Sequence, residues 1–307
     1  MLIVIALGGN ALLKRGQPVT IATQRDNIRT AVDALAHIAR QHQLIITHGN
    51  GPQAGLLALQ AAAYKEAEPY PLDIIGAATA GMIGYMIEQE LGNVLDSGAP
   101  LATVLTRVRV DPNDPAFQNP NKFVGPQYTE AQIEVLARER GWIFKQDSQS
   151  WRRVVASPEP KSIVWHRPIR WLVQQGALLI CAGGGGIPVI DRGPEGGLVG
   201  VEAIIDKDRT SSLLAQELSA DLFIIATDVD GVYEHFGTPQ QRVLRHISPN
   251  RYREGQFPAG SMGPKVDAAC WFARTTGRRA AIGALHQIED VVHGKSGTII
   301  DPTIADA

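Results

Sequence analysis

The chain has 307 residues, of which 44% are apolar and 20% charged, with a formal net charge of −2. That length can bury a large core as one domain or two lobes, and the near-neutral balance gives no electrostatic footprint for nucleic acid or an anionic membrane. No apolar run approaches the ~20 residues needed to cross a bilayer, and no basic region precedes the apolar start. Cys181 and Cys270 lack metal-type spacing, so the reading is a cytoplasmic protein with free structural thiols.

The first predicted element is the apolar run Leu2–Leu7, which breaks into Gly8, Gly9 and Asn10. An unalternating run of this length fits a strand covered on both faces. Glycines at its end let backbone N–H groups approach an anion closely. Residues 22–40 carry apolar positions at helical spacing (Ile28, Ala31, Leu35, Ile38), and Leu44–Thr47 reads as a second strand. Helices are predicted over 53–66 and 74–91, then a third strand over 103–109. From Asp111 to Pro160 the composition shifts to prolines, an Asn/Asp cluster and the pair Arg152-Arg153. This is too long for a simple crossover, so it is expected to form an inserted, protruding lid subdomain within a single domain spanning 1–307. The rhythm resumes with a helix over 163–175, a strand over 177–181, a helix over 210–218 and a strand over 222–226. A last helix over 264–275 leads to a strand over 279–282, with an edge strand at 297–300. Alternating strands and helices predict an α/β fold, a three-layer αβα sandwich around a mainly parallel sheet.

Five junctions carry candidate chemistry. His48-Gly49-Asn50-Gly51-Pro52-Gln53 joins a strand to a helix, where free N–H groups and the helix dipole favour anions. Gly49, Gly51 and Ala54 also satisfy the dinucleotide pattern G-x-G-x-x-A. The first strand–helix turn does not, however, and Pro52 removes an N–H where phosphate would want one. Gly183 to Gly186 are four consecutive glycines, costly in any ordered loop and best explained by close backbone approach to a ligand. Asp206-Lys207-Asp208 sets a lysine between carboxylates just before a helix. It reads either as a charge-neutralising group with its orienting partner or as an exposed N-cap cluster. Thr227-Asp228-Val229-Asp230-Gly231-Val232-Tyr233 follows a buried strand, where ligands sit in open α/β sheets, or else is a plain Asp-Gly turn. Gly260 to Lys265 brings a second lysine to a helix start, where the dipole offers it nothing and an anionic ligand would. His48 is the only histidine placed for a site. The P-loop, G-x-S-x-G, H-E-x-x-H and protein-kinase signatures are absent.

Taken in order, these segments resemble the amino-acid kinase superfamily, and within it the carbamate kinase family. Gly81-Met82-Ile83-Gly84-Tyr85, Lys122 in Asn-Lys-Phe-Val-Gly-Pro, and Arg152 to Pro158 extend the likeness through the insertion. The resemblance implies reversible phosphoryl transfer between ATP and carbamate, with carbamoyl phosphate and MgADP giving ATP. An alternative acceptor, another small carboxylate or phosphate, or a weakly active nucleotide-binding paralogue would keep the same fold. By resemblance, Lys122, Lys207, Asp208 and Lys265 are the catalytic set. Gly8, Gly9, Asn10, Gly49, Asn50, Gly51, Gly184 and Gly185 hold phosphate or carbamate. Thr227, Asp228, Val232, Tyr233, Met262 and Gly263 border the nucleotide. Mg²⁺ is expected with ATP or ADP rather than on protein side chains, and a homodimer is expected from the family alone. One departure is Ala80, where the family usually carries Gln.

Overall fold

The computed structural model describes residues 1–13, 17–64, 70–147, 150–258 and 262–303, and leaves aside the side chains of Asn10, Ala11 and Pro126. The chain begins with strand β1 (Leu2–Leu7), the helical turn α1 (Gly9–Leu12), α2 (Ile21–Gln41), β2 (Gln43–His48), α3 (Gly51–Tyr64) and α4 (Leu72–Gly92). Thr20 caps α2, its hydroxyl accepting from the Thr23 N–H at 3.2 Å. The short strands β3 (Leu101–Val104) and β4 (Arg107–Val110) follow, then β5 (Lys122–Tyr128), α5 (Glu130–Arg140), β6 (Ile143–Asp147), β7 (Ser150–Val155) and β8 (Pro160–Ile163). The next elements are α6 (His166–Gln174), β9 (Leu178–Cys181), β10 (Ile187–Asp191), α7 (Gly193–Gly196), β11 (Leu198–Gly200) and α8 (Lys207–Glu217). The chain closes with β12 (Leu222–Thr227), β13 (Val232–Glu234), β14 (Arg242–Leu244), β15 (His246–Ile247), α9 (Gly263–Thr276), β16 (Ala280–Ala284), α10 (Ile288–Val292) and β17 (Thr298–Ile300).

The main sheet has eight strands in the order β15-β17-β16-β12-β1-β2-β9-β3. From β16 to β3 every pairing is parallel. The α/β expectation therefore holds, and its apolar runs are explained by burial on both faces. Val4 and Ala6 pack with α6, α8 and α9 on one side. Ile3 and Ile5 pack with α2, α4 and α10 on the other. Parallel strands put their carboxyl ends on one edge, which is where ligands bind in such sheets. Leu7, His48, Cys181 and Thr227 all end strands on that edge.

Three local expectations are corrected, and two hairpins went unread. The strand over 103–109 is two strands, because the chain leaves the main sheet at Leu105 and Thr106 and joins a second sheet, β11-β10-β4-β8. Thr106 fixes the crossing, its hydroxyl donating to the Val104 carbonyl at 2.9 Å and accepting from the Ala182 N–H at 2.9 Å. Ile163 belongs to β8 rather than to a helix, which starts only after Trp165 in the left-handed region at φ 57°. Residues 298–300 are not the edge of the sheet, because β15 pairs outside them. The short hairpins β10–β11 and β13–β14 carried no alternation long enough to be read.

Within 111–160, β5, β7 and β6 form an antiparallel three-stranded sheet with α5 alongside. Thr129 and Gln132 make a reciprocal capping box at the start of α5, and Gly141 ends the helix at φ 64°. Val124 and Val155 of this sheet pack with Ala54, Leu72 and Ile75 in a small core of their own. A Cβ on Gly55 would lie 3.2 Å from Cα of Gly125, so α3 and β5 approach backbone to backbone.

Candidate active site

The site grows from the carboxyl edge of the main sheet. Asp206 caps α8, one carboxylate oxygen accepting from the N–H groups of Asp208 at 2.9 Å and Arg209 at 3.3 Å. The cap places Lys207 and Asp208 in the first turn of the helix. Ser211 reinforces it by donating to the Lys207 carbonyl at 2.7 Å and bonding Thr47 of β2 at 2.6 Å. Lys265 stands in the first turn of α9, which packs against α8.

These two helices converge on one carboxylate. Lys207 Nζ lies 2.7 Å from Oδ1 of Asp208, and Lys265 Nζ lies 2.9 Å from Oδ2. The Asp208 side chain is only 5% exposed. Burial alone would raise its pKa, but the two ammonium groups overcome this and hold it well below the usual carboxylate range. For Lys207 burial wins over Asp208, and its pKa is lowered. For Lys265 burial is outweighed by Asp208, with help from Asp206 and Asp228, and the pKa is raised. The Lys207–Asp208 contact lacks hydrogen-bond alignment, so the buried Lys207 ammonium has no hydrogen-bond acceptor among the described residues. A cation sealed at a helix N-terminus, with donors unspent, is suited to an anionic ligand.

The third lysine arrives from the insertion. Lys122, first residue of β5, donates from Nζ to Oδ2 of Asp206 at 2.8 Å. Asp206 thus caps α8 with one oxygen and holds Lys122 with the other; burial would raise the Asp206 pKa, but the Lys122 ammonium holds that carboxylate below its ordinary value. The sequence flagged this aspartate only as half of a charged pair. Its signal was the N-cap preference for aspartate, which says nothing about a partner from 84 residues away.

The glycines surround this cluster. A Cβ on Gly49 would come within 3.4 Å of the Gly9 nitrogen and 3.8 Å of Cδ of Lys207, which brings the first two loops and the lysine together. Gly9 and Gly51 face open space, whereas Gly8 packs against the Ala226 carbonyl. The side chain of Asn10 lies outside the described residues. Asn50 is buried, and its amide nitrogen donates to Oγ1 of Thr79 at 2.8 Å.

The four-glycine loop has a packing reason beside the one its composition suggested. Added Cβ atoms at Gly183, Gly184, Gly185 and Gly186 would stand 2.5, 2.1, 2.4 and 2.4 Å from His48, Asn50, Ile205 and Val108 respectively. Protein atoms, not a ligand alone, demand these glycines. The loop is clamped to α8 by Thr210, which donates to the Gly185 carbonyl at 2.8 Å. His48 is sealed beneath it, with Nδ1 3.1 Å from the Gly49 carbonyl, and burial pushes its pKa down to about 4. It is therefore a neutral structural imidazole. Ala80, on α4, packs against the same loop, its Cβ 3.0 Å from where a Gly183 Cβ would be.

On the other flank, Thr227 donates to Asp228 at 3.1 Å, and Asp228 is close enough to Lys265 to raise its pKa. Tyr233 donates to Asp230. Val232 turns its side chain into the core and spends its N–H on Thr298 at 2.7 Å. Gly263 is required by packing, since a Cβ would meet the Phe257 carbonyl oxygen at 2.8 Å. Met262 precedes α9 and packs against the core, while Gly260 and Ser261 lie outside the described residues.

A glycine-lined sheet edge carrying lysines paired to aspartates is the apparatus of a phosphotransferase. The amino acid kinase family model matches residues 1–284, and the chain belongs to that family. Its relatives include the carbamate kinase of Rhizobium meliloti (strain 1021), 59% identical over 100% of this chain and 95% of that protein. The carbamate kinase of Haemophilus influenzae is 55% identical over 98% of this chain and 96% of its own length. Among solved structures, carbamate kinase from Giardia lamblia bound to AMP-PNP superposes with a TM-score of 0.90 at 39% identity, covering 98% of each chain.

Proposed function

We propose that this chain catalyses reversible phosphoryl transfer between ATP and carbamate, forming ATP from carbamoyl phosphate and ADP. The observation that carries the reading is the Lys207–Asp208–Lys265 cluster with Lys122 held beside it by Asp206. Full-length relatives that are carbamate kinases support the choice of acceptor.

A terminal oxygen of ADP attacks phosphorus, the bridging P–O bond of carbamoyl phosphate breaks, and carbamate leaves with the electron pair. Phosphoryl transfer of this kind needs positioning and charge neutralisation more than covalent help. Lys207 and Lys265 are assigned to the transferring phosphoryl group and the nucleotide phosphates. Asp208 orients both lysines and keeps them charged. Gly8, Gly9 and the backbone of Asn10 bind phosphate oxygens, and Gly49 to Gly51 the carbamoyl end. Lys122 reaches the reacting group from the insertion, which acts as a lid that excludes water. Thr227, Asp228 and the stretch from Met262 to Lys265 are assigned to the border of the nucleotide, a reading supported by their place at the carboxyl edge beside Lys265.

Magnesium is assigned to the nucleotide rather than to a protein cage. Among the described residues no group of three or more His, Cys, Asp or Glu could hold a metal. Asp206 and Asp208 are already committed to lysines, which fits an ion held chiefly by phosphate oxygens and water. A homodimer is part of the proposal, supported by α4, which exposes Ile74 (50%) and Tyr85 (54%) on an otherwise apolar helix. A cytoplasmic setting is supported by two buried free cysteines; no described helix is long and apolar enough to cross a membrane.

The test is ATP formation from carbamoyl phosphate and MgADP, coupled to a glucose-dependent readout, with a no-enzyme control for spontaneous breakdown. Rapid ATP production that stops on chelating magnesium is expected. Folded protein that binds ADP but makes no ATP would refute the assignment and call for a screen of other acceptors.

A further inference from the structure

Asn50 sits between the two glycines assigned above to the carbamoyl end, and the hydrogen bonds around it fix which way its amide faces. Thr79, fully buried in α4, has one hydroxyl proton. Its Oγ1 lies 2.8 Å from the Ile75 carbonyl and 3.1 Å from that of Gly76, so the proton is spent on the helix it sits in. Only a lone pair remains for Asn50, 2.8 Å away, and the atom it faces must be the donor, Nδ2. The amide cannot be turned over without setting oxygen against oxygen. Gly184 holds the plane from the other side, its missing Cβ leaving the space in which the amide lies. The one hydrogen bond shown for this amide among the described residues uses its nitrogen, which leaves the oxygen on the opposite side of a residue 7% exposed. It belongs to the loop whose first glycine touches Gly9 and the Lys207 stem.

We infer that Asn50 reads the amine of the substrate, its Oδ1 accepting from a carbamoyl N–H, and that Thr79 is the positioning residue that keeps this oxygen turned toward the cleft. The inference rests on the carbamate reading above. Carbamoyl phosphate and acetyl phosphate have nearly the same shape and differ in carrying NH₂ or CH₃. Phosphate-binding groups treat them alike, so discrimination needs an acceptor aimed at the amine. A site built to bond a substrate N–H leaves that acceptor unpaired when the analogue lacks it, and so rejects the analogue.

The experiment compares the two compounds as phosphoryl donors to MgADP, reading the ratio of their kcat/KM values. Wild-type protein is expected to favour carbamoyl phosphate. Thr79→Val removes the hydroxyl at nearly constant volume and should cut that ratio by about tenfold or more, through carbamoyl phosphate alone. Thr79→Ser should restore it. Asn50→Ala should lower the ratio to a similar value, and adding Thr79→Val to it should change nothing further. A folded Thr79→Val protein with the wild-type ratio, or a Thr79→Ser protein that fails to regain it, would overturn the inference. If the valine variant does not fold, Asn50→Ala decides: an unchanged ratio there defeats the proposal. Absence of carbamoyl phosphate turnover in the wild type would instead bring down the functional assignment itself.

Discussion

Replacing Asp208 by Asn tests the charge arrangement most directly. The carboxylate has ammonium nitrogens at 2.7 and 2.9 Å and is only 5% exposed, so the substitution leaves two neighbouring cations with no counter-ion between them. At an effective dielectric of about 20, each contact is worth roughly 6 kcal/mol of gross attraction, much of it offset by desolvation. Removing one partner of a buried pair typically costs about 3–5 kcal/mol net. For a chain of this size that corresponds to a fall in Tm of roughly 5–8 °C. Turnover should fall by about 10²–10³-fold, because the lysines lose both charge and placement. The sign of the pH dependence is also fixed. The pKa of Lys207 is already lowered by burial, with Asp208 opposing that shift. Without Asp208 it falls further, and a lysine whose folded pKa is depressed costs stability as pH falls through that value. The destabilisation should therefore be larger at neutral pH than near pH ~10, where the unfolded lysine also gives up its proton. Sulfate should stabilise the variant more than the wild type by supplying the missing negative charge. Urea titrations across pH, with and without sulfate, and the coupled ATP assay measure all of this. A variant within about 1 kcal/mol of wild-type stability and about threefold of its turnover would refute the reasoning.

Two further outcomes follow from the loop beneath the site. His48 is buried with its pKa pushed down to about 4 from an ordinary 6.5, so the unfolded chain takes up a proton there that the folded one refuses. Its contribution is present above pH 6.5 and lost toward pH 4, amounting to roughly 3 kcal/mol; urea titrations should show this slope, and His48→Asn should flatten it. An unchanged slope would count against a buried neutral imidazole. Gly184→Ala would place a methyl 2.1 Å from the Asn50 nitrogen at a residue with φ 69°. It should cost about 1–3 kcal/mol of stability and raise KM for carbamoyl phosphate. Wild-type KM in a folded variant would show that Asn50 does not depend on that gap.

Much of this fold was legible because burial on both faces writes a plain signal. The runs at Leu2, Leu44, Leu178 and Leu222 all became central parallel strands. The failures share a cause. The chain at Leu105 and Thr106 switches sheets without a turn residue to announce it, because a threonine side chain, not a glycine or proline, stabilises the crossing. Lys207, Asp208 and Lys265 stood out as lysines and carboxylates placed where helix physics gives no reason for a lysine. Asp206 and Thr79 did not stand out, because each has an ordinary local role as helix cap or helix threonine. Their second partners, Lys122 and Asn50, come from distant elements. The glycines carry a second reason that their composition did not show. Their number suggested a ligand, and each of the four also faces a protein atom that a Cβ would strike.

The placement of the three lysines also explains how such a site persists before any phosphate arrives. Three ammonium groups near one sheet edge would repel one another, and two of them sit in the first turn of a helix, where the dipole adds to the cost. Asp208 compensates Lys207 and Lys265 together, and Asp206 compensates Lys122. Both aspartates belong to the first turn of α8 or its cap, so one short segment sets the positions of all three cations. The same segment is fastened to the glycine loop through Thr210 and to β2 through Ser211. Lys122 is the exception in kind, because it is borne by the insertion and holds the edge through a single partly exposed pair. On the function proposed above, a phosphate at Lys122 would compete with Asp206 while leaving the helix cap intact, since the cap uses the other carboxylate oxygen.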